Sequence, residues 1–366
     1  MSRKLITIST IMTLMSTSVI ADVPNVAADI APIHSLVSRV MDGVGAPKLI
    51  VQSGASPHGY RLRPSEAKAL QDADHVFWMG EELTPWLDSA IGTLASKASV
   101  TTLLDQQGVI LHDFREGALF EAHDHSAHGD DDHDDHDDHK DHDDHDDHDD
   151  HDDHKDHDDH DDHDDHDDHD DHDDHDDHDD HDDHDDHDDH DDHDDHGSHD
   201  PHAWLSPENA KLWLNIIASK LSVSDPENAA TYFMNAAAGQ AEIEAMIAEV
   251  KATLKPVQGG KFVVFHDAYQ YFENDFDFYA SGAISLGDSS DPSPARIEKV
   301  QKRIRDEGIQ CVLAEPQFKK GLVATVMEGS DATASVIDPL GAELETGPKL
   351  YTRLIKNMAK TLRNCL

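Results

Sequence analysis

The chain has 366 residues and a formal net charge of -51, and the excess is uneven: the stretch from His123 to His202 holds 45 Asp and two Lys. That stretch carries about 43 of the negative charges, so the rest is mildly acidic, which excludes nucleic acid and anionic membrane surfaces as natural partners. Without the stretch and the leader described next, roughly 265 residues remain, enough for one large or two ordinary domains.

The first 21 residues read as a secretory signal peptide. Arg3 and Lys4 give the positive start, Leu5 to Ile20 a moderately apolar run, and Val19-Ile20-Ala21 a small-residue cleavage site. A membrane anchor is the weaker reading, because the run is too short and too polar for about 30 Å of hydrocarbon. The mature protein is therefore expected to be soluble and exported. No Cys marks the cleavage point, so no lipid anchor is expected there.

From Val23 the chain alternates strand and helix patterns. Val23 to Ile30 is an apolar run, followed by Pro32 and the helical spacing Leu36, Val37, Val40, Met41, closed by Gly43 and Gly45. Lys48 to Gln52 predicts a strand, and Pro64-Ser65-Glu66 opens a helix running through Leu70, with proline where a first turn tolerates it. His75 to Met79 predicts a strand, Trp86 to Leu94 a helix and Val100 to Leu104 another strand.

The acidic tract interrupts this alternation. It repeats His-Asp-Asp in register from His133 to His196, broken only by Lys140 and Lys155, and holds no apolar side chain between Ala127 and Ala203 except Pro201. Such a segment cannot bury enough surface to offset its ordering entropy, so it is expected to stay unfolded. Each triplet also sets an imidazole between carboxylates. Histidines three apart can chelate in many registers, and the negative field concentrates cations. A loop of many weak, exchangeable metal sites is the functional reading; a solubilising polyanion is the plain one. Because imidazole binds metal only when neutral, capture is expected to fade as pH drops through about 6 to 7, with the neighbouring Asp pushing that midpoint upward.

The alternation resumes after the tract. Ser206-Pro207-Glu208 starts a helix covering Leu212 to Leu221, and a second begins near Asp225-Pro226-Glu227 and runs to Leu254, about 30 residues and roughly 45 Å long. Then come a strand at Lys261 to Phe265, a helix at Ala268 to Phe272, a strand at Tyr279 to Leu286 and a helix at Pro294 to Arg305. A strand at Ile309 to Ala314, a helix at Leu322 to Met327, a strand at Ala334 to Ile337 and a helix at Lys349 to Cys365 close the chain. The pattern predicts an α/β protein of two Rossmann-like lobes with mostly parallel sheets, joined by a long rigid linker helix. The expected division is 1–21 leader, 22–122 with 203–224 as the first lobe, 123–202 the inserted tract, 225–256 the linker and 257–366 the second lobe.

In such sheets ligands gather beyond the carboxyl ends of strands. His58 follows the second strand by a short turn, His266 ends the strand Phe262 to Phe265, Asp338 follows the strand ending at Ile337, and His202 stands just before a helix. Three imidazoles and a carboxylate suit four-coordinate zinc, at about 2.0 to 2.2 Å per bond. His34 is expected to be a non-ligand, His75 and His112 ordinary strand or loop residues, and Trp204 and Tyr269 packing around the cleft; Glu315 could assist the site from a strand end, but its neighbour Pro316 favours a structural turn. Cys311 and Cys365 are the only cysteines, and export favours a bridge worth about 4 kcal/mol, with two unlinked thiols as the alternative.

Five motifs carry a resemblance: Gly54-Ala55-Ser56-Pro57-His58 with Tyr60 and Leu62-Arg63-Pro64; Asp200-Pro201-His202-Ala203-Trp204-Leu205-Ser206-Pro207; Phe265-His266-Asp267-Ala268-Tyr269; Ala314-Glu315-Pro316-Gln317-Phe318; and Ile337-Asp338-Pro339-Leu340-Gly341. In this order the chain resembles the zinc-specific solute-binding proteins of ABC uptake systems, the ZnuA type. The resemblance implies a periplasmic protein with a zinc ion in a cleft between two lobes and delivery to an ABC permease and its ATPase in the inner membrane; a monomer is expected. His58, His202 and His266 take the three family histidine positions; a His-rich acidic loop and a disulfide at Cys311 and Cys365 belong to the same pattern. Some members carry Glu before the first ligand, where this chain has Pro57, so the fourth ligand is Asp338 or water. Manganese-binding relatives carry a carboxylate where His266 stands, and imidazole there favours zinc. A zinc hydrolase is the weaker reading, since no HExxH and no nucleophile elbow are present. The stronger rival is a periplasmic metal storage or buffering protein with the tract as its main site.

Overall fold

Proline opens four of the helices, because a first-turn residue has no intrahelical N–H bond to lose. In the computed structural model, which describes residues 23–115, 119–120, 199–285, 287, 292–317 and 320–366, these helices are α2 (Pro64–Gln71), α3 (Pro85–Leu94), α4 (Pro207–Ser224) and α7 (Pro294–Glu307). The caps of α4 and α7 follow the same logic: the Ser206 and Ser293 hydroxyls accept from the N–H groups of Asn209 and Arg296. The leader and the tract up to Ser198 lie outside the described residues.

The strands form two four-stranded, wholly parallel sheets. The first contains β1 (Val26–Ala28), β2 (Lys48–Leu49), β3 (His75–Trp78) and β4 (Ser99–Thr102) in the order β2-β1-β3-β4. The second repeats that order as β6-β5-β7-β8, from β5 (Phe262–His266), β6 (Ala283–Ser285), β7 (Cys311–Ala314) and β8 (Thr333–Val336). The remaining helices are α1 (Ala31–Val40), α5 (Ala229–Leu254), α6 (Gln270–Phe276), α8 (Lys320–Val326) and α9 (Leu350–Cys365). The α/β class and the parallel sheets are as the sequence predicts.

Period-two alternation assigns each sheet an inner and an outer face. Val26, Ala28 and Phe77 of the first sheet, and Phe262, Val264, Cys311 and Leu313 of the second, join one continuous core with residues of α1, α4, α5 and α9. Ala27, Val76 and Trp78 point the other way, into a cluster with α2 and α3, and Val263, Phe265 and Val312 into one with α7 and α8. The two sheets thus share a helical layer, within one compact unit.

Helix α5 is the long joining helix that the sequence predicts, beginning later than expected. It spans 26 residues, roughly 39 Å, beginning at Ala229 because Asp225 is withdrawn from the helix: its Oδ2 accepts from Tyr232 Oη at 2.7 Å and from Asn228 Nδ2 at 2.8 Å. Tyr232, Ala236, Gly239, Ile243, Met246, Val250 and Leu254 form a buried stripe along its length. At Gly239 a Cβ would stand 2.9 Å from a Leu214 methyl, so glycine is what allows α4 to approach this closely.

Some boundaries move for local reasons. Helix α1 starts at Ala31, ahead of the Leu36 spacing, with Pro32 in its first turn. The strand expected at Tyr279 to Leu286 shortens to Ala283–Ser285, after α6 ends on Asp277 in the left-handed region at φ 50°. Cys311 and Cys365 form a disulfide with Cα atoms 5.6 Å apart, pinning α9 to the start of β7. Its closed loop of 54 residues is worth about 4 kcal/mol by chain entropy. Calorimetry of a Cys311→Ser/Cys365→Ser variant is therefore expected to show melting roughly 10 °C lower.

Candidate metal site

In a sheet of order 2-1-3-4 the connections leave the second and third listed strands in opposite directions, opening a crevice at their carboxyl ends. In the second sheet these strands are β5 and β7. His266 is the last residue of β5 and Glu315 the first beyond β7, and the two meet: His266 Nδ1 lies 2.5 Å from Glu315 Oε1. Both are buried, and Gln317 Nε2 donates to the other Glu315 oxygen at 2.8 Å. In the first sheet the same crevice is stitched by Asp29, whose oxygens accept from the N–H groups of Ile30 and Met79 at 2.7 Å each. Burial pushes that carboxyl up to about 7. No histidine stands there, and the first half offers its imidazoles from two other segments.

His202 is one of them. Asp200 Oδ1 accepts from the His202 backbone N–H at 2.9 Å and faces its Nδ1 at 2.7 Å, so a single carboxylate sets both the turn and the ring. The 3₁₀ turn Ala203–Leu205 follows, and Trp204, 5.2 Å from the His202 ring, is tied by its Nε1 to the Pro339 carbonyl at 2.9 Å. Burial pushes the Asp200 carboxyl up to about 7, against its hydrogen bond with the His202 N–H and the charge of Arg115.

The two rings converge: His202 Nε2 and His266 Nε2 are 3.3 Å apart. A ring that donates its Nδ1 proton to a carboxylate presents a lone pair at Nε2. Two such lone pairs at this distance repel unless a proton or a cation lies between them. Bonds of about 2.0 to 2.1 Å at a tetrahedral angle put two ligand atoms about 3.4 Å apart, so the spacing fits one edge of a zinc shell.

His58 is half-buried in the loop between β2 and α2, with its ring 5.8 Å from that of His202. The preceding carbonyl, of buried Pro57, accepts from Trp86 Nε1 at 2.7 Å and anchors the loop. Asp338 lies just beyond β8. Its Oδ1 accepts from the N–H groups of Leu340 and Gly341 at 3.0 and 2.9 Å, and its Oδ2 from Ala342 at 2.6 Å, so the carboxylate holds its own turn. The structure thus brings the three imidazole rings near one another, while the Asp338 oxygens are engaged with backbone. Among the described residues no three His, Cys, Asp or Glu side chains already stand at metal-holding spacing.

Among the described residues, three histidines outside the site have ordinary partners. His34 meets the Pro47 carbonyl and the Ser38 hydroxyl, His75 meets Ser224, and His112 packs on Tyr271 with ring centroids 4.7 Å apart. Tyr269 is buried 6.3 Å from the His266 ring; burial and the Glu315 charge hold its phenol well above the usual range, so it stays neutral. Two residues were undervalued by sequence reasoning. Glu315 reads first as part of a turn because Pro316 follows it, but its position at the end of β7 gives it the assisting role that the sequence offers as the second reading. Asp200 had a signal too, a carboxylate two residues before a ligand candidate.

Comparison with known proteins bears on this geometry. The family model described as the periplasmic zinc-uptake complex component A, ZnuA, matches residues 26–365. The chain belongs to this family. Among its relatives, the high-affinity zinc uptake system protein ZnuA of Brucella abortus is 46% identical over 341 residues, covering 93% of this chain and 91% of that protein. The ZnuA of Paracoccus denitrificans is 42% identical over 347 residues, covering 94% and 93%. A ZnuA crystal structure superposes with a TM-score of 0.64 at 18% identity, over 94% of this chain and 99% of that one, which shows the shared fold. Membership of a ZnuA-family uptake component agrees with the expectation of a binding protein rather than an enzyme.

Proposed function

We propose that this chain captures Zn²⁺ in the periplasm and passes it to an ABC permease and its ATPase in the inner membrane. The ligands are His58, His202 and His266, with Asp338 or water completing the shell. The observation that carries the reading is the pair of Nε2 atoms 3.3 Å apart, each on a ring whose Nδ1 is backed by a buried carboxylate. Such backing fixes the tautomer and raises ligand basicity, the arrangement expected around a bound metal. The His202–His266 pair supplies one edge of the shell, and His58, whose ring neighbours that of His202, the next ligand. Two things support the compartment: the matching family model describes a periplasmic zinc-uptake component, and residues 1–21 have the sequence features of an export leader.

The tract between the described segments serves as an auxiliary collector, holding zinc weakly and in exchange. Zinc titration by calorimetry is expected to give one tight site and a set of weak ones in the full chain, and the tight site alone once residues 124–198 are removed. Unchanged stoichiometry after that deletion would contradict the collector role. The storage reading predicts that the tight site itself leaves with the tract.

A further inference from the structure

Both ligand-bearing segments are held at one point outside the metal site. On one side, the backbone around Asp113 pairs with that around His199, and the Asp200 N–H donates to the His112 carbonyl at 2.8 Å. This fixes the root from which His202 springs. Two residues after Asp113 comes Arg115. Its Nε donates to both Asp267 oxygens at 3.0 Å, Nη2 donates to Asp267 Oδ1 as well, and Nη1 donates to Glu273 Oε2 at 2.6 Å. Asp267 is the residue after His266. The guanidinium also lies 3.6 Å from the centroid of the Phe120 ring, and Phe120 is itself held on the second sheet's side: its N–H donates to Ser281 and its carbonyl accepts from Arg303. The fork is largely buried, with 15% of the Arg115 side chain exposed against 7% for Asp267 and 1% for Glu273.

We infer that Arg115 is a positioning residue for the zinc site, setting the distance between the His202 and His266 nitrogens by tying the root of one ligand segment to the turn that carries the other. The inference rests on the reading of these two histidines as ligands. A planar fork suits the task because it fixes direction as well as distance, whereas a lysine ammonium reaches one carboxylate as a point charge. Two buried carboxylates facing one cation also make the contact costly to break.

Two duller roles give different results. If Arg115 acted only through charge, Arg115→Met would leave the surroundings more negative and slow zinc release. If it merely stabilised the fold, removing the carboxylates it neutralises would repair the loss. The test uses the full chain, with weakly held zinc first stripped by a mild chelator; the passage of the remaining ion to excess strong chelator is then timed beside thermal unfolding of the metal-free protein. Arg115→Met is expected to release that ion about 10- to 100-fold faster, the usual cost of losing an outer-shell contact, with Arg115→Lys between it and wild type. The triple variant Arg115→Met/Asp267→Asn/Glu273→Gln is expected to recover the unfolding temperature while keeping the fast release. Wild-type release from Arg115→Met, or recovery of both properties in the triple variant, overturns the role of Arg115. A slowly released ion that survives His266→Ala overturns instead the ligand assignment beneath it.

Discussion

His266→Ala is expected to weaken tight zinc binding by roughly 10²- to 10³-fold, and His202→Ala by a similar factor. A four-ligand zinc site is worth about 10 to 16 kcal/mol, so one ligand accounts for roughly 2.5 to 4 kcal/mol. Each of these two carries more than its own bond. Their Nε2 atoms already stand at the separation of a tetrahedral edge, and removing either leaves the other to bind zinc without a preset partner. His266→Ala also strands the buried Glu315 carboxylate that faces it. Competition against a chelator of known affinity measures the loss, and circular dichroism confirms that the variant is folded. A storage protein with the tract as its main site would show little change in either variant.

Glu315→Gln is expected to cost about 10- to 100-fold in zinc affinity without touching a ligand. The amide oxygen can still accept the His266 Nδ1 proton, but the charge that makes the ring a stronger donor at Nε2 is gone. If the amide turns its NH₂ toward the ring, the tautomer flips and a proton occupies the metal-facing nitrogen. Asp200→Asn is expected to act likewise on His202, and more broadly, since Asp200 Oδ1 also accepts the His202 backbone N–H. X-ray absorption at the zinc edge should then show fewer imidazole ligands. Wild-type affinity in both variants would mean that the carboxylates merely pack.

Asp200 also sets a pH dependence of definite sign. Burial lifts its carboxyl from 3.8 to about 7, so the metal-free folded chain keeps a proton that the unfolded chain loses much earlier. That difference favours the folded state fully below pH about 4, and the contribution is lost as pH rises through about 7. Zinc binding runs the other way, because the His202 ring needs an ionised partner. Titrations at successive pH values are expected to show affinity falling as pH drops below about 7, and falling less steeply in Asp200→Asn.

Much of this was legible in the chain because it rests on local chemistry. Proline before a helical spacing marks helix starts, alternation of strand and helix dictates parallel sheets, and His266 at the end of an apolar run is a ligand candidate by position alone. What was not legible is pairing between segments that meet only after folding. Glu315 and His266 are 49 residues apart and become neighbours because β5 and β7 pair. Arg115 carries no signal at all: a lone arginine beyond a strand reads as solvated until Asp267 and Glu273 close around it. The shared helical layer was hidden for a related reason. Periodicity tells that α5 is a long helix with an apolar stripe, not that α4 and α9 cover it, so the linker helix was legible and its packing was not. Asp338 lies beyond a strand as expected; that its oxygens also bond the N–H groups of its own turn is a detail that position alone does not tell.

The most direct measurement is anomalous scattering at the zinc edge from crystals of the zinc-loaded chain. The predicted result is one strong peak at about 2.0 to 2.1 Å from the Nε2 atoms of His58, His202 and His266, with Asp338 or a water as fourth ligand. A peak that touches neither His202 nor His266, or that is bound through their Nδ1 atoms, would contradict the account.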